Sequence, residues 1–134
     1  MHEWALAEAV VAKVAEVARE AGLPRVREVV VGLGELQAVD REAFAFGLTT
    51  YRREVPVLAD ATFWFVVDPA RCACRTCGHA WLLGDSLAAM DASDRESVHL
   101  VPEMVTLFVS CPACASPDFT VTGGRGVSLV AVES

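Results

Sequence analysis

The chain has 134 residues and a formal net charge of -7, with 11 lysines and arginines against 18 aspartates and glutamates. Coating a phosphate backbone takes a surplus of basic side chains, so this balance argues against a nucleic-acid binder. Hydrophobic residues make up 54% of the sequence, which is enough to fill a core and excludes a disordered chain. The length suits one compact domain, or a small domain with a metal-stapled subdomain.

The apolar N-terminus raises the question of a signal peptide or a membrane span. Charged residues interrupt it at Glu3, Glu8, Lys13 and Glu16, and no basic region precedes it. No stretch approaches the roughly 18 uninterrupted apolar residues that a span requires. We therefore expect a cytoplasmic protein with no membrane partner. In a reducing compartment, closely spaced thiols more often indicate metal ligands or redox groups than disulfides.

Apolar residues at helical spacing predict the first element, a helix over residues 4–21. Its apolar stripe is Leu6, Val10, Val14, Val17 and Ala21. Gly22 and Pro24 end it, because glycine suits a left-handed cap and proline cannot continue a helix.

Three strands and a second helix follow. Residues 26–33 are rich in β-branched side chains and predict a strand. Asp40 is a candidate N-cap for a helix that places Phe44, Leu48 and Tyr51 on one stripe. The apolar run at 61–67 predicts a second strand. Residues 126–132, after a glycine-rich turn, predict the last one.

These elements predict an α/β (α+β) fold, in which two helices pack on a small three-stranded sheet. A sheet of this size needs a helix layer to bury one face. All five cysteines fall between the last two strands, in an inserted zinc-knuckle subdomain with four cysteine ligands. We expect one domain from residues 1–69 plus 119–134 and a zinc-binding subdomain from residues 70–118.

Two Cys-x2-Cys knuckles, Cys74–Cys77 and Cys111–Cys114, are separated by 33 residues. Each knuckle can point two thiolates at one ion, and zinc favours four such ligands in a tetrahedron. A closed shell of this kind is structural rather than catalytic, and its binding free energy stabilises the fold.

Cys72 creates an ambiguity, since it could replace Cys74 as the first ligand. The spacing of Cys74 to Cys77 matches the second knuckle, so we expect Cys72 to be a spare, buried thiol. A thioredoxin-like redox pair is disfavoured, because no βαβ pattern surrounds either knuckle. A zinc ribbon that binds nucleic acid, or one that serves as a protein-binding adaptor without nickel, stays an alternative.

The N-terminus offers a second set of metal ligands. Removal of an initial methionine normally requires a small second residue, and His2 is large, so we expect Met1 to stay. The Met1 α-amine, the backbone amide of His2 and the His2 imidazole then form one chelating unit. Nitrogen ligands in a plane suit nickel(II) or copper(II). Taken alone, however, a histidine at position 2 is usually a solvated terminal residue.

An ordered set of motifs resembles the HypA family of hydrogenase maturation proteins from end to end. The set consists of Met1-His2-Glu3, Gly32-Leu33-Gly34-Glu35-Leu36, the paired knuckles with Ser116 after Cys114, and Gly124-Arg125-Gly126. The resemblance implies a nickel metallochaperone that delivers Ni(II) to the large subunit of [NiFe]-hydrogenase, with the GTPase HypB as its partner. Some relatives also supply urease.

The family's binding residues carry over to matching positions in this chain. His2 is the implied nickel ligand, supported by Met1 and Glu3, and the implied zinc ligands are Cys74, Cys77, Cys111 and Cys114. The long insert between the knuckles resembles the archaeal-type variety, whose insert carries a motif like Ser97–Glu103. In such relatives the insert histidine can approach the N-terminal site, so His99 is a candidate further nickel ligand or, alternatively, a surface histidine.

Three further expectations concern what the chain does not do and how it assembles. It has no GxxxxGK[ST] phosphate loop, so we do not expect this chain to be the GTPase itself. We find no set of residues arranged for catalysis and do not expect an enzyme. His79 follows the first knuckle directly and is interpreted as a surface residue. A homodimer formed by exchange of the C-terminal strand is a structural option.

Overall fold

The computed structural model describes residues 2–37 and 39–134, with every side chain among them except that of Pro102. Met1, an expected part of the nickel site, lies outside the described residues. Single 3-10 turns occur at Pro56–Leu58 and Pro102–Met104. The helices and strands are α1 (His2–Glu20), β1 (Glu28–Gly34), α2 (Arg41–Arg52), β2 (Thr62–Asp68), β3 (Arg71–Cys74), β4 (Ala80–Leu82), α3 (Leu83–Ala88), α4 (Ala92–Leu100), α5 (Val105–Phe108), β5 (Phe119–Thr122) and β6 (Val127–Glu133).

The first sheet has the strand order β2-β1-β6. Strand β6 runs antiparallel to β1. Strand β2 runs parallel to β1, because hydrogen bonds join the starts of the two strands to each other and their ends to each other. The Thr62 amide donates to the Arg27 carbonyl over 2.8 Å at the start, and the Glu35 amide donates to the Asp68 carbonyl over 2.9 Å at the end. Parallel neighbours need a crossover connection, and α2 lies in it. The predicted two helices, three-stranded sheet and inserted cysteine segment are therefore confirmed.

Helix α1 buries a stripe that differs from the predicted one. Its buried residues are Ala7, Val11, Val14 and Ala18. Of the predicted stripe, only Val14 is buried, while Ala21 is exposed. The reason lies in helix packing, since α1 meets α2 through small residues. A Cβ added at Gly47 of α2 would lie 2.9 Å from the Ala7 Cβ, so alanine and glycine face each other at the crossing.

A predicted capping residue ends α1, and another begins α2. Gly22 has a φ of +67°, and the Leu23 amide donates to the Ala18 carbonyl over 2.8 Å, as in a Schellman cap. At the start of α2, the Asp40 carboxylate accepts hydrogen bonds from the amides of Glu42 (3.0 Å) and Ala43 (3.1 Å). Both predicted caps are confirmed.

A second sheet, with the strand order β4-β3-β5, carries Cys72 and Cys74 on β3. It packs with α4 and the segments beside it around a separate hydrophobic cluster. Leu36, from the segment after β1, joins this cluster, and its amide bonds the Gly124 carbonyl over 2.7 Å. The buried members of the cluster are Leu36, Ala70, Cys72, Leu83, Val98, Val105, Val109 and Phe119.

The chain divides into two compact units. The first unit contains residues 1–33, 39–66 and 127–134, and the second contains residues 34–38 and 67–126. The predicted first domain also contains residues 34–38, 67–69 and 119–126, which belong to the second unit. In the structure β5 pairs with β3 along Phe119–Thr122, and Leu36 enters the second hydrophobic cluster. In the part of the chain that the structure describes, no helix has the length and apolar character that crossing a membrane requires.

Candidate metal sites

Four cysteines converge in the second unit. The Sγ atoms of Cys74, Cys77, Cys111 and Cys114 all lie within 4.8 Å of one another, and we refer to them as the four-cysteine cluster. The Sγ atoms of Cys74 and Cys114 are 3.6 Å apart, and those of Cys77 and Cys111 are 3.7 Å apart. A zinc ion with four Zn–S bonds of about 2.3 Å requires sulfurs about 3.8 Å apart, the edge of that tetrahedron. The four thiols therefore fit a closed, all-sulfur zinc site.

The two knuckles fold into the same tight turn. The Gly78 amide donates to the Cys74 carbonyl over 3.0 Å, and the Ala115 amide donates to the Cys111 carbonyl over 2.8 Å. Gly78 and Ala115, each directly after the second cysteine of its knuckle, have φ values of +79° and +65°. In each knuckle, the residue with this left-handed backbone conformation reverses the direction of the chain. The two cysteine side chains of the knuckle therefore point toward the same position.

Backbone amides hold negative charge on the four-cysteine cluster. The amides of Cys77 (3.4 Å) and Thr76 (3.3 Å) point at Cys74 Sγ. These hydrogen bonds, chiefly that from Cys77, lower the pKa of the Cys74 thiol to about 6 against the effect of burial. The lowered pKa favours the thiolate of Cys74, which is the form that binds metal.

Cys114 behaves differently in the same cluster. The Ser116 amide lowers the pKa of its thiol, but burial and hydrogen bonds with the other three thiols raise the pKa overall to about 12. A cation that binds all four sulfurs must therefore displace protons, so acid opposes metal binding.

The fifth cysteine stands apart from the four-cysteine cluster. Cys72 is 2% exposed and belongs to the second hydrophobic cluster. Burial, with a smaller contribution from the Glu35 carboxylate, raises the pKa of the Cys72 thiol to about 11. The candidate zinc site thus contains Cys74 rather than Cys72, as the matching knuckle spacing predicts.

At the N-terminus, Glu3 is fixed while His2 is exposed. Glu3 Oε1 accepts a hydrogen bond from the Asp40 amide (3.3 Å), and Glu3 Oε2 lies 3.8 Å from His2 Nδ1. The His2 side chain is 56% exposed and that of Glu3 only 14%. Hydrogen bonds from the amides of Glu3 itself and of Asp40 lower the pKa of the Glu3 carboxyl to about 2. A permanent negative charge therefore lies beside the exposed imidazole.

Comparison with known proteins identifies the family. The protein-family model described as "Hydrogenase/urease nickel incorporation, metallochaperone, hypA" matches residues 1–134. The chain belongs to the HypA family. Curated relatives called "Hydrogenase maturation factor HypA" include one from Pyrococcus furiosus, 42% identical over 96% of this chain and 92% of the relative. Another, from Thermococcus sibiricus, is 38% identical over 99% of this chain and 96% of the relative.

Solved structures of HypA proteins share the fold. The "Solution structure of the Ni metallochaperone HypA from Helicobacter pylori" superposes with a TM-score of 0.64 at 24% identity, covering 98% of this chain and 95% of that chain. A second, the "Solution structure of HypA protein", has a TM-score of 0.66 at 24% identity, covering 99% and 95%. The relatives are maturation factors rather than enzymes, so the expectation of a non-catalytic HypA protein is confirmed.

The predicted site residues of this HypA chain fall into three places. The four cysteines come together, and His2 lies beside Glu3. His99 is exposed on α4 in the second unit, where it lines a cavity with Ala92, Arg95 and Glu96, and its role as a ligand stays a prediction. Among the described residues, only the cysteines form a group of three or more histidine, cysteine or acidic side chains that could hold a metal.

Sequence reasoning missed one contact of Asp40 and the contacts between the knuckles. Asp40 was predicted only as a cap, yet its amide also holds Glu3. No sequence signal reveals a bond from a backbone amide across 37 residues. The Thr76 and Ser116 hydroxyls, 2.9 Å apart, join the two knuckles. Ser116 belongs to the HypA motif, and its position two residues after Cys114 is the available signal.

Proposed function

We propose that this HypA protein binds Ni(II) at its N-terminus and delivers it for maturation of [NiFe]-hydrogenase, while zinc in the four-cysteine cluster maintains the fold. The observation that carries the proposal is the arrangement at the start of α1, where an exposed imidazole lies beside a carboxylate fixed by the Asp40 amide. The names of the family and of its relatives supply nickel and hydrogenase as the chemical context.

The first turn of a helix suits a nickel site built largely from nitrogen. Backbone amides there have no carbonyl partner within the helix. Among the described residues, His2 and Glu3 supply two side-chain ligands at this point, so we expect the Met1 amine and the backbone to supply others. A planar set of nitrogens favours nickel over zinc, which prefers a tetrahedron. Protons compete for amine, amide and imidazole, so acid should promote nickel release.

The location of the site suits delivery. A site near a chain terminus can exchange its ligands one at a time, because few buried contacts hold it. The four-cysteine cluster differs, since two of its four cysteines are buried. The partners in this proposal are the GTPase HypB and the hydrogenase large subunit, and the compartment is the cytoplasm. The anionic surface implied by a net charge of -7 could meet a basic patch on either partner.

Equilibrium dialysis of the untagged chain against Ni(II) tests the proposal. Wild type should bind nickel stoichiometrically, and His2→Gln should lose that nickel while its zinc content stays unchanged. Glutamine is also too large for removal of Met1, so this variant keeps the terminal amine in place and loses only the imidazole. His79→Gln is the matched control, because His79 is an exposed histidine beside the other candidate site. Equal nickel retention by wild type and His2→Gln would favour the alternative, a zinc-ribbon adaptor without nickel.

A short N-terminal extension tests the amine separately. It removes the Met1 α-amine from the site and leaves every side chain intact, so nickel affinity should fall as it does in His2→Gln. His99→Ala then tests the insert histidine. A nickel absorption spectrum that differs from that of wild type would identify His99 as a ligand. An unchanged spectrum would make it a surface residue.

A further inference from the structure

The two knuckles of the four-cysteine cluster come from distant parts of the chain. Cys77 ends the first knuckle, after β3, and Cys111 begins the second, before β5, with α3, α4 and α5 between them. Any metal bound there would draw these segments together. Direct contacts between the knuckles, independent of a metal, would control how easily they separate.

Two side-chain contacts join the knuckles beside the four-cysteine cluster. The hydroxyls of Thr76 and Ser116 lie 2.9 Å apart, and Arg75 Nη1 lies 2.6 Å from Asp118 Oδ1. The backbone adds a third contact, because the Arg75 amide donates to the Asp118 carbonyl over 3.0 Å. We refer to the two side-chain contacts together as the latch.

The latch residues Thr76 and Ser116 are close in sequence to the two exposed cysteines of the cluster. Cys77 and Cys114 are exposed, whereas Cys74 and Cys111 are buried. Water or a competing chelator therefore reaches the exposed thiolates first. Thr76 precedes Cys77 directly, and Ser116 lies two residues after Cys114.

The backbone groups of Thr76 and Ser116 bond directly to the cysteines of their own knuckles. The Thr76 amide donates to Cys74 Sγ over 3.3 Å. The Ser116 carbonyl accepts a hydrogen bond from the Cys111 amide over 2.9 Å, and the Ser116 hydroxyl accepts one from the Asp118 amide over 3.1 Å. A displacement of the backbone at either latch residue would therefore disturb a cysteine of its own knuckle.

From these contacts we infer that Thr76 and Ser116, assisted by Arg75 and Asp118, are positioning residues that slow the release of metal from the four-cysteine cluster. The inference rests on the zinc site of the proposed function. A knuckle must swing outward before its second thiolate can leave the ion. The latch opposes that motion, because its bonds must break before the knuckles separate.

Zinc transfer from the full chain to a chromophoric chelator measures the effect. Thr76→Val should release zinc about five-fold faster than wild type, a factor that corresponds to about 1 kcal/mol, the usual net contribution of one intramolecular hydrogen bond. Ser116→Ala should release zinc at least as fast as Thr76→Val, because it also removes the acceptor of the Asp118 amide. The double variant should release zinc no faster than Ser116→Ala, because both substitutions break the bond between the two hydroxyls. Thr76→Ser, which keeps the hydroxyl, should restore slow release.

Thr106→Val is the matched control. Its hydroxyl bonds the Glu103 carbonyl within the same turn over 3.1 Å, so this variant loses a hydroxyl of the second unit without touching the latch. Zinc release from Thr106→Val as fast as from Thr76→Val, or unchanged release from all variants, would overturn the latch while leaving the zinc site intact. A wild-type chain that binds no zinc would overturn the proposed zinc site and the latch together.

Discussion

Cys72 lies only two residues before Cys74, yet the two thiols have opposite properties. Along β3 the buried positions alternate, so both side chains point to the same face. Cys72 packs among apolar residues and its pKa is raised to about 11, whereas backbone amides lower the pKa of Cys74 to about 6. The difference in solvation and hydrogen bonding, rather than the residue type, separates a core thiol from a candidate ligand.

Substitution of Cys72 should change stability without changing metal content. Cys72→Ala removes one buried atom and should lower the free energy of unfolding by about 1 kcal/mol. Cys72→Ser buries a hydroxyl in an apolar cluster and should cost about 2 kcal/mol or more. Urea unfolding measures both values, and elemental analysis measures zinc. Loss of zinc from a folded Cys72→Ala protein would contradict the assignment of Cys72 as a core residue.

Glu3 should titrate far below an ordinary glutamate. Hydrogen bonds from the amides of Glu3 and Asp40 lower its pKa from 4.5 to about 2 in the folded chain. Because the folded-state pKa is depressed, the stabilising interaction is fully present above pH 4.5 and is lost as the pH falls through about 2. An NMR titration of the Glu3 side-chain carboxyl carbon checks this value. A midpoint near 4.5 would show that the Asp40 amide does not hold Glu3.

At the scale of the element, the two knuckle turns differ in one informative residue. Both require a left-handed residue after the second cysteine, and the chain uses Gly78 in one and Ala115 in the other. Glycine adopts this conformation readily, whereas a residue with a Cβ is strained in it. A Cβ added at Gly78 would meet nothing within 4 Å, so a substitution there tests the backbone conformation alone.

Exchanging the two residue types should therefore have opposite effects. Gly78→Ala should lower the free energy of unfolding of the zinc-loaded protein by about 1 kcal/mol, and Ala115→Gly should raise it by a similar amount. Denaturant unfolding at a fixed zinc concentration measures both changes. Changes of the same sign in the two variants would refute a shared turn conformation.

The sequence predicted the elements of the first unit well, because each has a strong local signal. Asp40 marks the start of α2, and β-branched residues mark β1. The buried stripe of α1 was predicted less well, since alanine gives no clear hydrophobic signal and the close crossing at Gly47 selects it. Helices α3, α4 and α5 were not predicted at all, since they have only six, nine and four residues. Contacts with the second hydrophobic cluster, rather than local periodicity, stabilise such short helices.

At the scale of the whole molecule, the candidate sites were predictable where spacing carries the chemistry. Two matched knuckles indicate four ligands of one ion, and the structure brings those four sulfurs together. The support around each site was not predictable. The Asp40 amide beside Glu3 and the Ser116 hydroxyl beside Thr76 are contacts between distant segments, and these depend on the complete fold.

The two units should respond differently to the removal of zinc. Each has its own hydrophobic cluster, and that of the first unit contains buried apolar side chains from α1, α2 and the first sheet. Among the described residues, the cluster of the second unit has eight buried members, fewer than that of the first, and three of them come from β3, β5 and the segment just before β3. Because the four-cysteine cluster joins the knuckles after β3 and before β5, metal binding there contributes directly to the folding of that unit.

Chelation of zinc, followed by amide hydrogen exchange, tests this expectation. Protection should fall sharply in residues 67–126, whereas α1, α2 and β1 should keep their slow exchange. Addition of zinc should restore the original pattern, and this reversal separates metal loss from irreversible damage. Cys77→Ser, which removes one exposed ligand, should reproduce the chelated pattern without chelator, whereas Cys72→Ala should not. A uniform loss of protection across the chain would mean that the first unit also depends on the metal.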